Sequence, residues 1–400
     1  MGNSILLQLR HTDQHRPFIP PPWAHHFTDK DFEIPEADRT DGLVHSFKRL
    51  YPEDNNFWWI EYGGNISTIG DANAIQRELK AIAYGVWEYM KNHPDGRCRD
   101  YDLDWIGSLP GKRESTRYVG DVILSQDDIM SGGHFHDVVC YGGWTLDDHH
   151  PDAFYRKGFL STHHTPPSPF GIPYRCLYSR NIDNLFFAGR DISCTHLGLS
   201  STRVMGTCAL MGQAVGTAAA IASAHAVTPR AVGQSFLSEL QQTLEDDDVM
   251  LPFRWRTPSA LTQSACTDFD VLRNGIDRNW NGADNGAWLE PGAAADYSWT
   301  SPQRLSGARI IFDTELNVRG KRMRKLEATT DVKPMPPMLA RSCRLEACIN
   351  GAWHTITTLK DIHHRMERVS FPPVSATALR LVINETWGAP KAHVFALDAL

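Results

Sequence analysis

The 400-residue sequence has no surplus of basic charge. Its 40 Lys and Arg against 47 Asp and Glu leave a formal net charge of −7. Phosphate recognition needs a basic face, so no nucleic-acid partner is expected. It has no C-x-x-C pair either. Cys98, Cys140, Cys176, Cys194, Cys208, Cys266, Cys343 and Cys348 are scattered, which supports neither a zinc ribbon, a thioredoxin-like pair nor a disulfide scaffold. They read as small buried hydrophobes and leave the redox compartment open. Histidines adjoin at His149-His150 and His163-His164, but neighbours on a strand point to opposite faces and no ligand spacing follows. No metal is expected. The first ten residues lack a basic region followed by an apolar core and predict no signal peptide. There is no internal repeat, and the short acidic stretch at 245–248 reads as a solvated loop. Long apolar runs are scarce too. One uncharged stretch follows Arg203 for about twenty residues, but it is rich in Gly, Ala, Ser and Thr. That composition predicts a buried globular helix and no membrane span.

What is present has the pattern of an ordinary globular chain. The Pro-rich residues 18–23 predict an extended segment. The aromatic run at 57–62 predicts a strand ended by Gly63 and Gly64. A helix is predicted over about 73–91 behind Asp71, because Ile75, Leu79, Ile82, Val86 and Tyr89 recur every three or four residues. Short strands are predicted at 118–124, at 137–141 and, buried, at 185–188. Gly189 breaks the last, a polar loop follows, and a second helix is predicted from about 202 to 224. Gly206, Ala209, Gly212, Gly216 and Ala219 put small side chains along one side of that helix, a face that allows close approach of backbone or ligand. Its G-x-x-x-G, from Gly212 to Gly216, is read as packing inside the protein.

A strand, a glycine, a loop and a helix start can hold an electron-rich ligand, because the first helical N–H groups lack partners. Here that unit reads NLFFAGRDISCTH at 184–196 and continues as SSTRVMGTCALMGQAVGTAAA at 200–220. Before it stand FWWIEYGG at 57–64, GKRESTRYVG at 111–120 and YGGWTLDDH at 141–149. In this order the four segments resemble the FAD-dependent oxidoreductase family with a glutathione-reductase-type fold, over roughly residues 1–250. The resemblance implies FAD as cofactor, with Gly189, Arg190 and Asp191 near its ribityl or pyrophosphate portion. It implies Arg203, Val204 and Met205 at the flavin's pyrimidine edge. Asp147, His149, His196 and Arg117 are the candidates on the substrate side, a histidine to take a hydroxyl proton and an arginine to hold an oxyanion. The plain alternative for Arg113, Glu114 and Arg117 is a structural ion-pair cluster. The G-x-G-x-x-G of the family's first βαβ unit has no counterpart here. The resemblance therefore implies an FAD/NAD(P)-binding-type domain, α/β or α+β, incomplete at its N-terminus. A second chain or copy supplying the G-x-G-x-x-G is one way to complete it.

Beyond a linker at 251–265, helical periodicity fades. Strands are predicted at 308–312, 343–348, 353–357 and 378–383, with a turn at Asn350-Gly351, the pattern of an antiparallel β-sandwich of jelly-roll type over 266–400. This region resembles a discoidin-like domain, carried by Asn279, Trp280, Trp288, the 308–313 segment, the 379–383 segment and Trp387. The resemblance implies binding of glycans or other surfaces through loops at one end; Trp280, Trp288, Trp299 and Trp387 are either sugar platforms or core. Three functions stay open: an oxidase or dehydrogenase of a small organic substrate such as a sugar or polyol, a non-catalytic carbohydrate-binding or remnant protein, and a subunit completed by another chain.

Overall fold

The computed structural model describes residues 1–35, 48–52, 57–316 and 335–400, and the backbone of Val44–Ser46. These divide into two compact units, Met1–Phe253 and Arg254–Leu400.

In the first unit the strands are β1 (Asn3–Ser4), β2 (Leu7–His11), β3 (Val44–Ser46), β4 (Glu61–Tyr62) and β5 (Tyr101–Ile106). They continue as β6 (Gly111–Lys112), β7 (Val138–Gly142), β8 (Leu146–His149), β9 (Ser161–His164) and β10 (Phe170–Pro173). Its helices are α1 (Ala72–Asn92), α2 (Gln126–Met130), α3 (His196–Thr202), α4 (Met205–Ala224), α5 (Pro229–Ser235) and α6 (Leu237–Asp246). The strands form small sheets ordered β4-β1-β6, β10-β7, β2-β5 and β3-β9-β8, every pair antiparallel. Among the described residues the parallel contact is a single bridge between Leu124 and Cys194. Of the two fold classes expected for this part, the structure is α+β.

The apolar stripe of α1 is legible in space. Ile75, Leu79, Ile82 and Val86 are fully buried in one core with Trp59 and Trp87. Asp71 precedes the helix without capping it; its carboxylate accepts from the Ser67 amide at 3.1 Å instead. The strand expected at 57–62 is only Glu61–Tyr62, because Phe57 takes a φ of 53° and the chain turns there. The strand expected at 118–124 is reduced to the Leu124 bridge. The segment 185–188 is likewise an extended stretch bridged to Tyr178 through Phe186, with Phe187 buried and its neighbours half-buried.

The helix expected from about 202 to 224 is α4, and the polar loop expected before it holds a short helix, α3. Thr195 caps α3 by accepting from the Gly198 amide, the chain turns extended at Val204, and α4 starts anew. Met211, Ala214, Ala218 and Ile221 bury one side of α4, which packs on β7. The other side corrects the expectation of a buried helix with an internally packed G-x-x-x-G. Gly206, Ala209, Gly212, Gly216 and Ala219 are exposed, and nothing lies within 4 Å of a Cβ placed on Gly206, Gly212 or Gly216. Met205–His225 is the one helix among the described residues long and apolar enough to cross a membrane, and a third of it is buried.

The second unit holds α7 (Ala260–Ser264), β11 (Ala287–Leu289), β12 (Ala294–Phe312), β13 (Ala340–Ile349), β14 (Ala352–Leu359), β15 (Met366–Thr386) and β16 (Ala392–Ala399). Its antiparallel sheet is ordered β11-β16-β12-β15-β13-β14. The long strands β12 and β15 change register between Ser298 and Gln303 and between Leu305 and Gly307, breaks that bend strands. The sheet covers a core of Tyr297, Leu305, Ile310, Phe312, Leu345 and Leu379, as a β-sandwich does. All four predicted strands are there. Asn350 and Gly351 join β13 to β14 with φ of 52° and 82°, the left-handed pair that a two-residue hairpin requires.

Candidate active site

Three elements of the first unit meet around one buried histidine. β4 brings Glu61, β8 brings Asp147 and His149 two residues apart on one face, and the C-terminal end of α3 brings Arg203. Ser201 ties α3 to the turn before β8 by donating to the Trp144 carbonyl at 2.6 Å. His149 lies with Nδ1 2.6 Å from Glu61 Oε2 and Nε2 3.3 Å from Asp147 Oδ2. The His149 and Glu61 side chains are each 3% exposed. Trp58 stands edge-on to the imidazole, ring centroids 5.2 Å apart. Arg113 reaches Glu61 at 3.2 Å while donating to the Gly2 and Trp58 carbonyls. Arg203 donates to Asp147 Oδ2 at 3.1 Å, and His163, opposite Asp147 on β9, approaches its Oδ1 at 3.6 Å. Burial alone would raise both carboxyls. Arg113 and His149 overcome it at Glu61, which titrates below its ordinary range. At Asp147, His149 and Arg203 overcome it and hold the carboxyl down at about 2. Both are carboxylates at neutral pH.

A second cluster adjoins through Asp148. His196, at the start of α3, sets Nε2 3.1 Å from Asp148 Oδ1 and Nδ1 2.9 Å from Glu114 Oε2. Hydrogen bonds to Asp148 and Glu114 raise its pKa to about 9. His196 is thus a cation at neutral pH and is unsuited to take a proton. Arg117 donates to Glu114. Of the four substrate-side candidates, Asp147 and His149 touch; His196 adjoins them through Asp148; Arg117 is spent on Glu114. The ion-pair alternative holds for Glu114 and Arg117, whereas Arg113 serves Glu61. Glu61 and Arg113 were not legible as site residues. The signal available was a carboxylate inside an otherwise aromatic and apolar run.

The cofactor-side candidates gather at the loop before α3 and the start of α4. Gly189 has a φ of 97°, and a Cβ there would stand 4.0 Å from Cys208 Sγ in the first turn of α4. Arg190 is exposed and donates to the Lys112 carbonyl; the Asp191 carbonyl accepts from the Tyr118 amide at 2.8 Å. Val204 is the N-cap of α4 with no side-chain cap, and Met205 is 88% exposed. Arg203 Nε is buried without a hydrogen-bond partner. An uncapped helix start with open space at Gly206 and an unpaired guanidinium nitrogen beside it fits the electron-rich end of a flavin. No parallel βαβ unit for a nucleotide occurs among the described residues. Nor, among them, does any group of three His, Cys, Asp or Glu suit a metal ion.

The family described as FAD dependent oxidoreductase matches residues 6–244, and the chain belongs to it. No curated protein matches. Among solved structures, the family 32 carbohydrate-binding module of Streptococcus pneumoniae EndoD is 12% identical, with a TM-score of 0.26, over 34% of this chain and 85% of its own. A chitosan-binding module of a Paenibacillus sp. IK-5 chitosanase/glucanase is 10% identical, with a TM-score of 0.23, over 36% and 95%.

Proposed function

We propose that the chain oxidises a small organic alcohol, a sugar or polyol, by hydride transfer to FAD, with His149 taking the hydroxyl proton. The observation that carries this reading is the buried Glu61–His149–Asp147–Arg203 constellation, on the family's own segments and a few residues from an uncapped helix start. Gly189, Arg190, Asp191, Val204 and Met205 would hold the cofactor, with Arg203 turned to its pyrimidine edge. When bound, FAD supplies a two-electron acceptor. The chain's own part is to orient the alcohol, exclude water and accept one proton. His149 is the histidine proposed to accept it, because it is buried at the centre of this constellation, whereas His196 is half-exposed and held between Glu114 and Asp148. Arg203 sits where it can steady a developing oxyanion. His196 and Arg117 share Glu114 in the adjoining cluster.

The sugar or polyol class is supported by the second unit, where Trp288 presents a 47% exposed indole of the kind that stacks on a pyranose. A second reading is favoured by the open side of α4: the flavin's nucleotide end is held by another polypeptide lying against Gly206, Gly212 and Gly216. A non-catalytic carbohydrate-binding protein is the third.

One experiment separates them. The purified chain is mixed with FAD, desalted, scanned for the flavin bands near ~370 and ~450 nm, and then given polyols and aldoses without oxygen. Retained bands that bleach with a sugar alcohol support the oxidoreductase. Failure to retain FAD favours the two-polypeptide reading. Glycan retention by a chain that never bleaches supports the binding protein.

A further inference from the structure

We infer that Glu61 is a positioning residue: it fixes the His149 ring through Nδ1 and so leaves Nε2 as the nitrogen that exchanges a proton with the substrate. The inference rests on the oxidoreductase reading above.

The two contacts of His149 are unequal. At 2.6 Å the Glu61 contact is a short, charge-assisted hydrogen bond, and a carboxylate can only accept, so Nδ1 carries the proton. At 3.3 Å the Asp147 contact is long, and Asp147 Oδ2 is already shared with Arg203. Nε2 is therefore the less firmly held nitrogen: Arg203 already supplies Asp147 Oδ2 with a donor, so Nε2 need not carry a proton toward it. Glu61 is itself held. Arg113 pairs with it from the segment after β6 and is fixed in turn by two backbone carbonyls. The charged groups around the imidazole are Glu61 from β4 and Asp147 from its own strand. His163 from β9 and Arg203 from α3 act through Asp147, and Arg113 acts through Glu61. Among these, Glu61 alone combines a short contact with near-complete burial of both partners.

The chemistry balances simply. The alcohol's C–H bond breaks with its electron pair, and that hydride goes to the two-electron acceptor. Its O–H bond breaks, and the proton goes to Nε2. A C=O bond forms. The imidazolium left behind is paired with a carboxylate already in place, so no group need reorganise during the step.

The test uses the full chain and two substitutions. Glu61→Gln keeps the shape and an acceptor for Nδ1 but removes the charge; Glu61→Ala removes the acceptor as well. The first measurement needs no cofactor: ¹⁵N-histidine NMR against pH, with the His149 signal identified by its loss in His149→Asn. Glu61→Gln should weaken the preference for the proton on Nδ1, and Glu61→Ala should abolish it. The second is the pH profile of flavin bleaching by a sugar alcohol. Its plateau rate should fall roughly tenfold or more in Glu61→Gln. A wild-type tautomer in both variants would overturn the inference. If the NMR shifts appear but the wild-type chain bleaches with no alcohol, the oxidoreductase reading fails and only a structural pair remains.

Discussion

Trp288 on β11 lies directly opposite His393 on β16, and the two rings stack with centroids 4.0 Å apart and planes 1° from parallel. His393 is completely buried. Its Nδ1 lies 2.9 Å from Asp313 Oδ2 and its Nε2 2.9 Å from Asp284 Oδ1, while Trp288 donates its indole N–H to Asp284 at 2.8 Å. One face of the indole is core and the other is surface. Trp299, by contrast, is buried, and Trp280 and Trp387 are half-buried. The choice between sugar platform and core has a different answer for each tryptophan.

Replacing Trp288 by Ala removes this cross-strand stack and should cost the second unit about 1 kcal/mol. Denaturant unfolding of Trp288→Ala beside Trp288→Phe measures it; Phe should restore a good part, since a ring can still cover His393. An unchanged midpoint in the Ala variant would contradict the stack's contribution.

Asp313 titrates below its ordinary value: burial opposes this, and the His393 hydrogen bond and the Glu315 amide outweigh burial. A depressed carboxyl stabilises the folded state above its unfolded pKa, and that stability is lost as pH falls through the folded value. The second unit should therefore lose stability below about pH 4, where an unfolded Asp titrates. In Asp313→Asn the melting temperature should start lower at neutral pH and fall less steeply on acidification.

His196 has the opposite sign. Its pKa is raised to about 9 by Asp148 and Glu114, so its contribution is complete below the unfolded value near ~6.5 and is lost as pH rises through 9. Melting temperatures of the wild type and His196→Gln should differ most at pH 6 and converge by about pH 10. Equal spacing across that range would mean that His196 is not a cation in the folded chain.

Gly212 occupies the middle of α4 with nothing near a Cβ. Gly212→Ala should then stabilise the chain by up to about 1 kcal/mol, the usual gain of Ala over Gly inside a helix. Gly212→Leu should also leave the chain folded, because the space is open. If a second polypeptide completes the flavin site along this face, the Leu variant should lose that association. A destabilised Ala variant would show that something covers the helix.

What could be read from the sequence was what neighbours in the chain decide. The α1 stripe and the Asn350-Gly351 hairpin are local patterns, and both stand in the structure as expected. Short pairings were harder. Strands of two to five residues take their identity from partners far along the chain, so β4 shrank to Glu61–Tyr62, and 185–188 became a lone bridge. The short helix α3 was missed for a related reason, since the segment before 202 reads as a polar loop. Asp147 and His149 stood out because the segment 141–149 that carries both resembles the family. Glu61 is 88 residues from His149, and nothing in its own segment announces that a buried carboxylate there has a histidine to hold.

The strand at the end of the sandwich sheet has a consequence of its own. β14 spans eight residues without a single Asp, Glu, Lys or Arg, and among the described residues no strand pairs with its outer side. Opposite it the sheet ends in the three-residue β11, too short to template another strand. The sandwich therefore has one blunt border and one adhesive border. Association between copies at high concentration would begin at β14, and a single lysine placed on that strand would be the economical way to keep a concentrated preparation monodisperse.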